Sequence, residues 1–178
     1  MLGRVWAAGA RLYRARGWID GAHGAASWRD ALAWLGARDG IAELQYWGHG
    51  KWGSARCGDE VLDASVLAPG PLDALRAQLR PDALVWFRTC ETLGARAGHD
   101  FAARAADRLG ARIAGHTYVI AYYQSGLHVL APGARPDWPA HEGLVRGTAA
   151  APERAARSSR RAPRTITALT PRLPSRVR

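Results

Sequence analysis

Cysteine is scarce in this chain. Cys57 and Cys90 are the only two among 178 residues, which excludes the small secreted scaffolds stapled by several disulfides and fits a reducing compartment. One bridge between them would consume the thiol that sits in the more suggestive context, and no Cys-x-x-Cys pair is present. Long apolar runs are also missing: none approaches the roughly 20 residues of a membrane span. No charged-then-apolar leader with a cleavage site is legible, so a cytoplasmic location without membrane contact is expected. Residues 1–16, with four arginines and no acid, read as a surface helix. Lysine is almost absent, Lys51 standing alone against 24 arginines, and this is better assigned to base composition than to function. There is no internal repeat and no phosphate-cradling glycine loop, and Ser125 lacks the Gly-x-Ser-x-Gly turn of a serine hydrolase. His116, His128 and His141 are spaced by 12 and 13 positions, which matches no compact metal-ligand pattern. No metal or cofactor is expected.

Acid is lacking in one segment in particular. From Val145 to Arg178 there are nine arginines and one acid, Glu153, so this stretch carries +8 of the formal +10 and residues 1–144 only +2. The basic pI of 10.9 thus belongs to an Ala-, Arg-, Ser- and Pro-rich segment, which reads as a disordered basic tail over 145–178. No aromatic is interleaved with Arg160, Arg161 and Arg164 to stack on bases, so specific nucleic-acid recognition is not expected. Residues 1–144, in a chain that is 48% hydrophobic, suffice for one domain with a real core.

Apolar periodicity predicts helices over 1–16, 27–37 (with Ser27 as N-cap), 69–79 and 99–109, the last stopped by Gly110. Strands are predicted over 41–47, 83–89 and 111–114, the third resuming through 117–123. Residues 48–63, with Gly48, Gly50, Gly53 and Gly58, read as a loop. Near-continuous apolar strands alternating with helices argue for an α/β fold, a mainly parallel sheet sandwiched by helices. The sharpest chemistry lies at two strand ends. Ala83-Leu-Val-Trp-Phe-Arg-Thr runs into Cys90, and Ile41-Ala-Glu-Leu-Gln-Tyr-Trp runs into Gly48-His49-Gly50. Ligand chemistry in parallel sheets sits at that carboxyl edge, and a thiol beside a histidine is a usable nucleophile.

Tyr46-Trp-Gly-His-Gly50, then Arg88-Thr-Cys-Glu91 with Gly94, Gly98 and Phe101, then Leu109-Gly-Ala-Arg-Ile-Ala114, resemble the caspase and gingipain clan of cysteine peptidases, most nearly its bacterial caspase-like domains. The likeness covers about Ile41 to Ala114. It implies a caspase-like fold and peptide-bond cleavage, with Cys90 attacking the carbonyl, His49 protonating the departing amine, and the N–H groups of Gly50 and Cys90 forming the oxyanion hole. The family's sheet usually opens with a strand for which residues 1–25 offer no clean candidate. Arg88-Thr89 before the cysteine and Glu91-Thr92 after it depart from the caspase signature. Glu91 is expected to point away from the sulfur, toward a backbone N–H or toward Arg88 or Arg96. The implied partner is a peptide or protein substrate; the alternative is an inactive caspase-like module that binds a peptide or protein in the same cleft. Cys57, His99 and Ser125 are read as bystanders.

Overall fold

The computed structural model describes residues 2–65, 70 and 72–174. A four-stranded sheet carries the fold: β1 (Ile41–Trp47), β5 (Leu79–Arg88), β6 (Arg112–His116) and β8 (Leu127–Leu130), in the order β1-β5-β6-β8. β1 and β6 both run parallel to β5, and β8 closes the sheet antiparallel to β6. The predicted adjacency of 41–47 and 83–89 is therefore observed, in parallel register from Glu43↔Leu84 to Trp47↔Arg88. The fold is mixed α/β with parallel strands at its centre.

Strand alternation distributes β5 between two cores. Val85 and Phe87 face α2 (Trp28–Gly36), α3 (Leu72–Gln78) and α4 (Ala95–Leu109). Leu32, Leu35, Leu72, Leu75, Phe101 and Leu109 complete that layer, and the Phe87 and Phe101 rings meet edge to face at 5.2 Å. Ser27 caps α2 as its sequence predicts, accepting from Asp30 N at 3.1 Å. α4 begins at Ala95, four residues before the predicted start, because Gly94 takes the extended N-cap position. It ends as expected at Gly110, which adopts φ 59° and donates its N–H to Ala106 O.

The opposite face differs from the expected helical layer. Leu84, Trp86, Ala114 and Leu127 form a second core there, covered by Ile166 and Leu173 of the C-terminal segment. The side chain of Tyr13 from α1 (Leu2–Ala15) joins them through Trp47 and Arg88. A C-terminal strap, much of it turns, stands where the helical layer was expected.

Three further readings are corrected. Residues 48–63 are not a loop but a three-stranded meander of β2 (His49–Lys51), β3 (Ser54–Cys57) and β4 (Glu60–Asp63), in which alternation buries Ala55, Cys57 and Leu62. Residues 145–174 are not a solvated tail. β9 (Leu144–Gly147) pairs with β10 (Pro152–Ala155), and β11 (Ile166–Thr167) pairs with β7 (Tyr123–Gln124). Main-chain bonds tie this segment to the core at Val119 N to Ala156 O (2.9 Å), Gly126 N to Pro163 O (2.9 Å) and Ala168 N to Tyr122 O (2.7 Å). Its order comes from backbone pairing, which an apolar-poor composition does not announce. Beyond His116 the chain does not continue as a strand over 117–123 but loops to β7. Residues 175–178 lie outside the described residues, and among the described ones no helix is long and apolar enough to cross a membrane.

Candidate functional site

Parallel pairing of β1 and β5 brings both chains out at the same edge, one residue after Trp47↔Arg88. His49 and Cys90 stand in the segments that leave it, as predicted. Gly50, the expected oxyanion-hole glycine, packs its backbone against the Cys90 turn. A Cβ there would collide with Thr92 Oγ1 and lie 2.7 Å from Thr89 Cβ, so no larger residue fits without displacement.

The turn after Cys90 is rigidly held. Glu91 N donates to Tyr118 O (2.9 Å), Leu93 N to His116 O (3.0 Å) and Gly53 N to Thr92 O (2.8 Å). Thr89 and Thr92 share a hydroxyl–hydroxyl bond of 2.6 Å, and the Trp138 indole donates to Leu93 O (3.1 Å). Within this frame Glu91 sits at φ 35° and Ala95 at φ 61°, left-handed values that side chains other than Gly and Asn rarely adopt. One of these strained positions is the residue next to the nucleophile candidate.

Electrostatics at the site favour the protonated thiol. Burial pushes Cys90 above its ordinary value, and the neighbouring Glu91 pushes it further. The S–H donates to Ile120 O at 3.8 Å, a bond that a thiolate does not make. No hydrogen bond of the described residues joins Cys90 to His49. The imidazole is exposed and meets the ring of Trp6 edge to face at 5.3 Å.

Glu91 does not find the partners expected of it. It is only 8% exposed and its Oε2 has no hydrogen-bond partner; burial raises the carboxyl while Lys51 draws it back down. Arg96 is exposed. Arg88 is committed elsewhere, wedged between the rings of Trp47 (4.1 Å) and Trp86 (4.3 Å). Its guanidinium donates to Gln124 Oε1 (3.0 and 2.8 Å), Thr170 O (2.7 Å) and Thr167 O (3.1 Å). Burial lowers it to about 10. Glu91 instead lines an open cleft of about 560 Å³ with Lys51, Trp52, Val119, Arg154 and Arg157.

The remaining candidates fall away from the site. Cys57 is buried in the meander, its S–H to Ala25 O at 3.6 Å and its thiol raised by burial. His116 is buried against Trp86 and bonds Ser125 O, His128 bonds Glu142 Oε1 at 2.7 Å, and His141 is exposed. Among the described residues no three His, Cys, Asp or Glu side chains gather as a metal-binding group. His99 is half-buried against Trp138 rather than free on a helix surface. Ser125 Oγ is spent on Ser159 and Thr165. Arg164 reaches Glu142 Oε2 at 3.3 Å, so one of the arginines read as tail is an internal ion-pair partner. Trp6, Trp52 and the Ile120 carbonyl were not legible as site components; only the Thr89-x-x-Thr92 repeat beside the cysteine offered a signal. Comparison of the chain with protein-family models, curated proteins and solved structures finds no match.

Proposed function

We propose that this chain is a caspase-like cysteine peptidase in which Cys90 is the nucleophile and His49 its general acid. The observation that supports it is the parallel β1–β5 register, which sends Trp47-Gly48-His49 and Arg88-Thr89-Cys90 out of the sheet together. The role of the Gly50 and Cys90 N–H groups as oxyanion donors belongs to the same proposal; such donors are worth about 3 to 4 kcal/mol of barrier. In the described conformation the pair is at rest, with a protonated thiol and an imidazole that is not bonded to it. Attack requires His49 to take the Cys90 proton, sulfur to add to the scissile carbonyl, and the same proton to pass to the departing amine, after which water hydrolyses the thioester.

A second reading, an inactive module that binds a peptide or protein in the same cleft, is favoured by the raised Cys90 thiol and by the unpartnered Glu91 Oε2. Alkylation by iodoacetamide near neutral pH separates the two. A dyad gives labelling of Cys90 that falls on His49→Ala and peptidase activity that disappears in Cys90→Ala. Slow labelling indifferent to His49→Ala supports the module, and activity that survives Cys90→Ala ends the peptidase proposal. Cys57→Ala should change neither readout by more than about twofold, since its thiol is buried away from the edge.

A further inference from the structure

We infer that the first half of α1 is an autoinhibitory flap, in which Trp6 holds the His49 imidazole away from Cys90; the inference rests on the reading of these two residues as a dyad. α1 is anchored unevenly. Its second half is tied down by Tyr13, 4% exposed, whose hydroxyl donates to Ala168 O at 2.7 Å and accepts from Arg88 Nη1 at 3.2 Å. The Tyr13 ring also packs edge to face on Trp18 and Trp47. Among the described side chains, the first half has no such anchor. Val5 is 62% exposed, Ala7 and Ala8 are exposed, and a Cβ added at Gly9 would meet nothing within 4 Å.

What this half does touch is the candidate acid. Trp6 is half-buried and sets its ring edge to face against His49 at 5.3 Å, while no hydrogen bond or ion pair of the described residues involves that imidazole. Gly9 lies between the anchored and the unanchored halves. Glycine weakens a helix interior relative to alanine, so the chain is easiest to bend or fray where bending would lift Trp6. An aromatic pair of this kind biases a closed-to-open ratio by about two- to tenfold. A contact of that strength is firm enough to keep the resting pair apart and weak enough to be displaced when a substrate or partner engages α1.

The test uses the full chain carrying Cys57→Ala, with iodoacetamide as the probe of Cys90 and two-dimensional NMR of the His49 ring protons. Trp6→Ala should raise the Cys90 alkylation rate about two- to tenfold, and adding His49→Ala should abolish that gain. The His49 ring protons should shift when the indole ring current is removed. Unmoved His49 resonances in Trp6→Ala overturn the flap. So does an unchanged alkylation rate in Trp6→Ala while wild-type labelling still depends on His49, and in that case the dyad stands. Labelling indifferent to His49→Ala with and without Trp6→Ala overturns the dyad itself.

Discussion

Arg88 is the residue whose removal most directly tests how the edge that carries His49 and Cys90 is built. Its guanidinium supplies hydrogen bonds to three well-placed acceptors, Gln124 Oε1 and the carbonyls of Thr167 and Thr170, besides longer contacts to Tyr13 and Gln45. Leaving a buried acceptor unsatisfied costs about 1 to 3 kcal/mol, so losing all three costs on the order of 3 to 9 kcal/mol. Two effects offset this. A guanidinium lowered from 12.5 to about 10 carries a burial penalty of about 3 kcal/mol that the substitution removes, and water can reach the half-buried Thr167 and Thr170. The net loss should be about 2 kcal/mol for Arg88→Met, which keeps apolar bulk between Trp47 and Trp86, and about 3 kcal/mol for Arg88→Ala, which does not. For a chain of this size 3 kcal/mol lowers Tm by roughly 6 to 12 °C. Urea titration would give the free energies, and hydrogen exchange would locate them: the amides of Gly126 and Ala168, bonded to Pro163 O and Tyr122 O, should lose protection before those of β5 and β6. If Arg88→Met stays within about 0.5 kcal/mol of wild type and Ala168 keeps its protection, the buried guanidinium does not hold the C-terminal strap.

Three other outcomes are expected. His116, buried as a neutral ring between Trp86 Nε1 and Ser125 O, has its pKa lowered by burial to about 3; the unfolded state therefore takes up the proton first, and stability should fall as pH drops from about 6.5 toward 3, by at most about 5 kcal/mol. His116→Gln should flatten that limb in denaturation curves, and an equally steep limb in the variant would contradict the assignment. Glu91 has the opposite sign: with its carboxyl raised by burial, its contribution is fully present below the unfolded value and is lost as pH rises through the folded one, so Glu91→Gln should gain on wild type as pH rises above the ordinary carboxyl value of 4.5. A constant difference across that range would show the carboxyl to be solvated. Gly50→Ala should lower Tm by about 3 to 10 °C through overpacking against Thr89 and Thr92, and an unchanged melting curve would mean that the edge yields easily.

The strands that carry His49 and Cys90 were legible because each is an apolar run ending at glycine or at a polar turn, and their parallel adjacency followed from the helix between them. The meander was missed because its strands are three or four residues long and their pattern, Ala55, Cys57, Leu62, is broken by hairpin glycines at 53 and 58. The strap was missed for a different reason. Its order rests on Arg88, Tyr13 and main-chain pairing more than 30 residues away in sequence, and composition reports only what a segment can bury by itself. Glu91 was recognised as the awkward neighbour of the thiol, but its isolation follows from Arg88 being used up by the strap, a contact with no local signature.

The bond from Arg88 to the Thr170 carbonyl also sets an order of events in synthesis. Every strand of the central sheet has been made once residue 130 leaves the ribosome, yet two of the three best-placed acceptors of the guanidinium at the end of β5 lie at 167 and 170. Until then the nascent domain holds the cation with only Gln124, Tyr13 and Gln45 to bond, and closing so long a loop is slow. The Arg88 network therefore cannot be completed before residue 170 has been made, and a chaperone or protease that meets the chain earlier meets that guanidinium incompletely bonded.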